Sequence, residues 1–243
     1  MQTSPRETDV TLTIPIFDHG ATITGVVEAL EQYALPCLIV NDGSGEETGQ
    51  ALAALEARFD WVEVIHHPEN RGRGAALRTA YRAAGERGRT HAIQLDADGQ
   101  HDSSDVPKFL DAVKSQPEAL ILGAPIFDET IPFVRLHGRK LSKFIVDWQT
   151  RSKSVIDPLC GFRCIPIVPT LALLDREGTG DRMDFDPELI IRLVRSGTPV
   201  INVPTKVQYP EGGVSHFRMV EDNLRIAGAY LRLAIGISRT RPK

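Results

Sequence analysis

The sequence has few cysteines, no long apolar run and no large excess of charge of one sign. Its three cysteines are Cys37, Cys160 and Cys164, and an odd count without close pairs indicates neither a disulfide framework nor a zinc site. No stretch reaches the roughly 18 consecutive apolar residues that a membrane span requires, so we expect any membrane contact to be peripheral. The sequence also lacks the pattern of a secretory leader, and we therefore expect a cytoplasmic protein.

The charge balance argues against a nucleic-acid partner. The chain has 28 Lys and Arg against 32 Asp and Glu, a formal net charge of -4, whereas domains that bind nucleic acid are usually basic. Its 243 residues, 42% of them hydrophobic, are enough for one large core. We predict a single domain over residues 1–243, with a flexible tail at 1–8 and a C-terminal helix at 219–243.

Strand-like and helix-like patterns alternate along the first half of the chain. Strands are predicted near residues 10–14, 38–40, 62–65, 93–95 and 119–122, and helices near 22–33, 47–59, 74–84 and 106–113. This alternation over short loops predicts an α/β fold with a mostly parallel central sheet and helices on both faces. Later segments predict helices near 135–150, 184–194 and 219–237, and strands near 200–203 and 206–209. Polar or glycine-rich residues follow the early strands, so we expect the functional surface at that edge of the sheet.

Two carboxylates follow the fourth predicted strand, at Asp96 and Asp98. Carboxylates this close repel each other unless a cation lies near them. Mg2+ or Mn2+ prefers oxygen ligands and leaves coordination positions for phosphate oxygens. The alternative is a polar turn after a buried strand, with Asp102 capping the next helix. A spacing this short leaves both interpretations open.

Arginines and glycines precede the third predicted helix, in Asn70-Arg71-Gly72-Arg73-Gly74. Backbone amides and the helix dipole favour an anion at such an N-terminus. A dinucleotide-binding fingerprint is disfavoured, because Leu77 stands where the third glycine would be and the motif follows the third strand instead of the first. An NAD-dependent oxidoreductase is therefore disfavoured too.

Four strand-end motifs, taken in order, resemble those of family-two glycosyltransferases with the GT-A fold. The nearest branch is that of the polyprenyl-phosphate (dolichyl-phosphate) mannosyl- and glucosyltransferases, and the resemblance covers nearly the whole chain. The motifs are Ile14-Pro15-Ile16-Phe17-Asp18, Val40-Asn41-Asp42-Gly43-Ser44, Asn70-Arg71-Gly72-Arg73-Gly74-Ala75-Ala76 and Leu95-Asp96-Ala97-Asp98-Gly99-Gln100, followed later by Asp157-Pro158-Leu159-Cys160-Gly161-Phe162-Arg163 and Phe185-Asp186-Pro187-Glu188-Leu189.

The resemblance implies a role for each matching position. The nucleotide base and ribose would be lined by Pro15, Asp18 and Asp42, and Arg73 would lie near the nucleotide. The metal, Mg2+ or Mn2+, would be held against the diphosphate by Asp96, Asp98 and Gln100, with Asp98 also counted as catalytic. Candidate phosphate partners are Arg135, Arg139, Arg163 and His216. If the acceptor is a hydroxyl, the base would be Asp186 or Asp184.

The implied reaction is metal-dependent, inverting transfer of a sugar from a nucleotide-diphosphate sugar, with a UDP-sugar preferred over GDP-mannose. The acceptor is a lipid phosphate or a small hydroxyl compound. The chain departs from the branch pattern at Pro210-Glu211-Gly212-Gly213-Val214-Ser215-His216, where an Arg and a Lys of that pattern are replaced by Pro and His. Two alternatives stay open: a phosphohydrolase of the haloacid dehalogenase-like type, which also has Asp-x-Asp-Gly after a strand, and a non-catalytic nucleotide-binding protein.

The C-terminal helix is predicted to have an apolar stripe flanked by arginines. The stripe consists of Leu224, Ile226, Tyr230, Leu231, Leu233, Ile235 and Ile237. Such a stripe packs on its own domain, lies on an anionic membrane surface or forms a homodimer interface, and the sequence leaves these uses open.

Overall fold

A computed structural model of the protein describes residues 8–126, 133–176, 179–207 and 218–239. The strands are β1 (Val10–Ile16), β2 (Cys37–Asn41), β3 (Val62–His66), β4 (His91–Gln94), β5 (Leu120–Ile126), β6 (Arg163–Pro166) and β7 (Val200–Lys206). The helices are α1 (Gly20–Leu30), α2 (Glu46–Arg58), α3 (Arg73–Glu86), α4 (Val106–Ser115), α5 (Phe133–Thr150), α6 (Ile167–Arg176), α7 (Phe185–Arg195) and α8 (Met219–Arg239). Short 3-10 turns lie at Glu31–Tyr33 and Ser103–Asp105.

The strands form one seven-stranded sheet in the order β3-β2-β1-β4-β6-β5-β7. All neighbouring pairs are parallel except those of β6, which runs antiparallel to both β4 and β5. The prediction of a mostly parallel α/β sheet is therefore confirmed. Because β1 to β4 run in the same direction, the loops that follow them meet at one edge of the sheet. The reversed strand β6 begins at that edge, where Arg163 pairs with Gln94.

Helices cover both faces of this sheet, as the sequence predicts. All seven residues of β1 are buried, which is expected for a parallel strand with a layer on each side. One apolar cluster joins the sheet to α1, α2 and α4, and a second joins it to α3, α6, α7 and α8. The core thus holds the strand ends of β1, β2 and β4 in fixed positions.

Two later segments differ from the sequence expectation. Neither β6 nor α6 was predicted: β6 is only four residues long, and α6 begins directly after it at Ile167. Residues 200–203 and 206–209 were predicted as two strands, but β7 continues through Pro204 to Lys206. Proline is tolerated there because, among the described strands, β7 lies at the edge of the sheet and pairs with β5 alone. Within the described ranges, no helix is long and apolar enough to cross a membrane.

Candidate active site

A cavity of about 740 Å3 opens above the carboxyl ends of β1, β2 and β4. Its walls come from the loop before α3, from α5, from the start of α7 and from the start of α8. The residues predicted from sequence that line it are Pro15, Asp42, Arg73, Asp96, Asp98, Gln100, Arg139 and Asp186. Residues from six separate segments therefore meet in one place.

The acidic turn after β4 forms the floor of the cavity. The buried Leu95 ends the apolar run, and Asp96 and Asp98 follow it into the cavity. The backbone amide of Gln100 donates a 3.0 Å hydrogen bond to Asp98 Oδ1. The Ser104 amide donates a 3.0 Å bond to Asp102, so Asp102 caps the following 3-10 turn as predicted. The stretch is thus both a polar turn and the source of two cavity carboxylates.

Both oxygens of Asp96 already have partners within the protein. Arg73 Nε donates to Oδ1 at 3.2 Å, and His101 Nε2 lies 3.3 Å from Oδ2. Burial raises the pKa of Asp96, but the charge of Arg73 and the hydrogen bond of His101 outweigh it and hold this pKa well below the usual range. Asp96 is therefore ionised and balanced by a cation of the protein.

Asp98 has the opposite environment. Burial, and then the negative charge of Asp96, raise its pKa, while the Gln100 amide lowers it less. A bound cation would stabilise the ionised form of Asp98, which the negative charge of Asp96 destabilises. The described part of the chain contains no cluster of three His, Cys, Asp or Glu side chains that could hold a metal alone. Mg2+ usually binds through one or two carboxylates plus phosphate oxygens and water, so Asp96 and Asp98 fit such an ion.

Asp186 lies opposite the acidic turn, at the start of α7. Arg73 Nη1 donates to its Oδ2, and Arg163 Nη1 lies 3.2 Å from its Oδ1. Arg73 therefore links Asp96 to Asp186 across the cavity. Arg163 is buried below the cavity lining and also donates a 3.0 Å bond to the Cys160 carbonyl. It acts on the site through Asp186, whereas we had predicted a direct phosphate contact.

The two candidate bases are separated by the fold. Asp186 lines the cavity. Asp184 is buried and faces α8, where Arg232 Nη2 lies 3.5 Å from its Oδ2. Of the two, Asp186 is therefore the one placed to meet a substrate.

Asp42 is buried and connects β2 to the loop before α3. It accepts hydrogen bonds from the backbone amides of Arg71 (3.0 Å) and Gly72 (2.7 Å), and its Oδ1 lies 2.7 Å from His67 Nδ1. The other ring nitrogen of His67 lies 2.9 Å from Thr79 Oγ1. Asp42 thus fixes the loop that leads to Arg73, in addition to lining the cavity.

The remaining predicted positions lie in different places. Asp18 is exposed with a positive φ of 51°, and its carboxylate accepts a 2.8 Å bond from the Gly45 amide. Its neighbours Phe17 and His19 line the cavity instead. Arg139 lines the cavity and forms a 2.7 Å ion pair with Asp157. Arg135 lies in α5, but its side chain is outside the described residues, as is the whole stretch 210–216 with His216.

Part of the N-terminus of α3 is covered by protein, although the sequence predicts an anion there; Arg73, its first residue, lines the cavity. The Ala75 amide donates a 2.9 Å bond to the Asp181 carbonyl. A Cβ on Gly74 would lie 2.5 Å from Phe185 Cβ, so glycine is needed at position 74 for the close approach of this segment. The Ala75 amide is therefore not available to a ligand.

Sequence reasoning missed several residues at the mouth of the cavity. They are His19, Asn70, Arg182, Met183, Arg218, Glu221, Asp222 and Asn223. Arg182 lies two residues before the Asp184–Glu188 stretch, and Arg218 two residues after His216. Proximity to those motifs was the signal that could have found them.

Comparison with known proteins places this arrangement in a family. The model of glycosyl transferase family 2 matches residues 11–179. The chain is 25% identical over 242 residues to a UDP-N-acetylglucosamine–dolichyl-phosphate N-acetylglucosaminyltransferase of Methanococcus voltae, covering 93% of this chain and 96% of the relative.

Two solved structures share the fold. Glucosyl-3-phosphoglycerate synthase from Mycobacterium tuberculosis, in complex with UDP, superposes with a TM-score of 0.68 at 15% identity, over 93% of this chain and 80% of the other. The mannosyltransferase PcManGT from Pyrobaculum calidifontis, in complex with GDP-Man and Mn2+, gives 0.61 at 12% identity, over 98% and 78%. The predicted GT-A fold is confirmed. The family model matches more than half of this chain, and the chain therefore belongs to glycosyl transferase family 2 and is a glycosyltransferase.

Proposed function

We propose that the protein catalyses metal-dependent, inverting transfer of a sugar from a nucleotide-diphosphate sugar, preferably a UDP-sugar, to a lipid phosphate. The observation that carries this proposal is the pair Asp96 and Asp98, since Asp98 lines the cavity and its pKa is raised by burial and by the charge of Asp96. Family membership sets aside the phosphohydrolase and non-catalytic interpretations, since the chain is a glycosyltransferase.

The metal would be held by Asp96 and Asp98, with Gln100 beside them. When bound, Mg2+ or Mn2+ would act as a Lewis acid on the diphosphate, where negative charge develops as the sugar leaves. Arg73 places a second positive charge beside Asp96. Its guanidinium is fixed before the reaction by Asp96 and Asp186, so little reorganisation is needed as that charge develops.

The donor would lie along the carboxyl ends of β1 and β2. Pro15 and Asp42 line this part of the cavity, and the names of the Methanococcus voltae relative and of the Mycobacterium tuberculosis structure both include UDP. GDP-mannose is the alternative donor, because the PcManGT complex contains it together with Mn2+.

The contacts of Asp186 favour an acceptor that needs no general base. Arg73 and Arg163 each contact one of its oxygens, so Asp186 would lose a cation contact on accepting a proton from a hydroxyl. A lipid phosphate is already ionised at neutral pH and attacks without losing a proton. The Methanococcus voltae relative is named for dolichyl phosphate. A hydroxyl acceptor with Asp186 as base is the second candidate, because Asp186 lines the cavity.

A lipid acceptor requires contact with a membrane, and α8 offers a surface for it. Part of its apolar stripe, Ile226, Tyr230 and Leu233, packs on the protein, while another part is exposed. The exposed apolar residues of α8 are Val220, Leu224, Leu231 and Ile235. We propose that this face lies on the bilayer. In a flotation assay, the wild type should float with anionic vesicles, and a Leu224→Gln, Leu231→Gln double variant should not. If the wild type instead dimerises in a concentration-dependent way and the double variant does not, this face is a homodimer interface.

The donor proposal is tested by thermal stabilisation with UDP, GDP and NAD, with and without Mn2+. UDP or GDP should raise the Tm of the wild type in a Mn2+-dependent way, and Asp98→Asn should abolish the dependence on Mn2+. Stabilisation by NAD alone, or nucleotide effects indifferent to both Mn2+ and Asp98, would rule out this donor site.

The acceptor proposal is tested with polyprenyl phosphate and with the matching polyprenol. We expect transfer to the phosphate only, with inversion at the anomeric carbon detected by NMR of the product. Asp186→Asn should leave the acidic limb of the pH profile unchanged. Transfer to the alcohol, with an acidic limb that disappears in Asp186→Asn, would instead establish a hydroxyl acceptor and a general base.

A further inference from the structure

One of the arginines that line the cavity differs from the others in its partners. Arg73, Arg139 and Arg218 form ion pairs with Asp186, Asp157 and Glu221. Among the cavity-lining residues that the structure describes, Arg182 is the arginine with no carboxylate within ion-pair distance. Its side chain donates a 3.3 Å hydrogen bond from Nη1 to the amide oxygen of Asn70. A neutral amide does not balance a guanidinium charge. Glu221, whose pKa is lowered mainly by Arg218 and less by Arg225 and Arg182, forms its ion pair with Arg218, so Arg182 presents positive charge to the cavity.

The backbone that carries Arg182 is fixed against α3. The Asp181 carbonyl accepts the 2.9 Å bond from the Ala75 amide, and the Asp181 carboxylate pairs with Arg78. The Arg182 amide itself donates to Asp184 Oδ1 at 3.3 Å. Contacts on both sides of position 182 therefore hold the main chain, and the side chain extends into the cavity from a fixed origin.

Gly72 makes room for the stem of this side chain. It has a φ of 103°, and a Cβ at this position would lie 2.6 Å from Arg182 Cγ. The stem of Arg182 thus lies over the backbone of the loop whose amides bind Asp42. Arg182 is consequently on the side of the cavity formed by the ends of β2 and β3, beside Asn70.

Resting on the nucleotide-sugar donor proposed above, we propose that Arg182 binds the diphosphate of that donor. A guanidinium fork matches phosphate oxygens and forms charge-assisted hydrogen bonds with them. The Asp181 carbonyl accepts the hydrogen bond of the Ala75 amide, so an anion cannot bind this amide. The next residue, Arg182, places a guanidinium on the same side of the cavity. The leaving nucleoside diphosphate would thus meet a cation on this wall as well as at the acidic turn.

Binding of UDP and GDP in the presence of Mn2+, measured by titration calorimetry, tests this role. Arg182→Gln should weaken binding by about 10- to 100-fold, the range for losing hydrogen bonds to a charged group. Arg182→Lys should recover part of the affinity, because it keeps the charge but not the fork. Uridine and guanosine, which lack phosphate, should bind both proteins equally by NMR. Arg82→Gln is the matched control, since Arg82 pairs with Asp175 and lies outside the cavity lining.

The outcomes separate this assignment from the proposed function. If the wild type binds UDP or GDP and Arg182→Gln binds it equally well, the role of Arg182 is refuted and the donor site stands. An equal loss of nucleoside and nucleotide affinity, or a raised KM for the acceptor with an unchanged KM for the donor, also refutes it. If the wild type binds neither nucleotide, the donor site itself is wrong and this role is wrong with it.

Discussion

Gly161 leaves the space that the Asp96 carboxylate occupies, and Gly161→Ala should therefore damage the site. A Cβ at position 161 would lie 2.8 Å from Asp96 Cγ and 3.0 Å from His101 Nε2, and closer still to Asp96 Oδ2. Carbon atoms in contact are normally about 3.5–4.0 Å apart, so the carboxylate must retreat by roughly 1 Å. That movement separates Asp96 from His101. The backbone of Gly161 lacks a positive φ, so the effect comes from the added methyl group.

We expect overpacking to cost about 2 kcal/mol of unfolding free energy, a fall in Tm of about 4–8 °C for a chain of this size. If Asp96 holds the metal as proposed, a misplacement of about 1 Å at this carboxylate should lower activity by about 100-fold. Differential scanning fluorimetry and Mn2+-dependent transfer measure the two effects. Gly25→Ala is the control, because nothing lies within 4 Å of a Cβ there, and it should not reduce Tm. If Gly161→Ala retains Mn2+-dependent activity and the Tm of the control, our account of this contact is wrong.

Four further predictions concern the charged groups. Because the pKa of Asp98 is raised in the folded protein, ionising this carboxyl lowers the stability of the fold as pH rises. In the absence of metal, Asp98→Asn should therefore have a higher Tm than the wild type at neutral pH. Thermal melts over a series of pH values measure this difference. The same raised pKa means that Asp98 becomes protonated at a higher pH than an ordinary aspartate. Mn2+-dependent UDP binding should therefore already be lost at a pH where an ordinary aspartate is still ionised. Loss only in the pH range where an ordinary aspartate titrates would contradict this. Arg163→Met should lower the free energy of unfolding by about 3–5 kcal/mol, because it breaks a buried ion pair. Arg82→Met, at an exposed ion pair, should change it by at most about 1 kcal/mol. Equal denaturant midpoints for the two variants would contradict the role of the buried pair. Asp42→Asn should cost about 1–3 kcal/mol, since a carboxylate that accepts two amide bonds and contacts His67 would be replaced by a group with one acceptor oxygen; an unchanged denaturant midpoint would contradict it.

The first four strands and their helices follow from local patterning. β-branched residues at β1 to β3 and apolar periodicity in α1 to α3 encode these elements within short windows, and short loops between them require a parallel sheet. The prediction that polar strand ends gather at one edge follows from the same topology. This is why Asp42, Asp96 and Asp98 could be placed together without a structure.

The second half of the site depends on contacts that no short window contains. The Arg73–Asp186 contact joins residues 113 positions apart. Arg163 can reach Asp186 because β6 runs antiparallel between β4 and β5 and therefore begins at the edge of the sheet that carries the site. The β6 strand is four residues long, too short for its alternation to be recognised. The sequence therefore indicated Arg163 as a ligand group, when its geometry makes it a partner of Asp186.

The α/β class and the two carboxylates after β4 can be read from local sequence patterns, because strand periodicity and a strand-end motif are local properties. How the charges are shared depends on the fold: Asp96 is balanced by Arg73, Asp98 lines the cavity, and Arg182 extends over Gly72. Each of these depends on the distance between groups far apart in the chain and on how deeply the groups are buried, and Coulomb and hydrogen-bond energies depend strongly on both. Only the packing of β6 and of the segment before α7 against the early strands sets those distances.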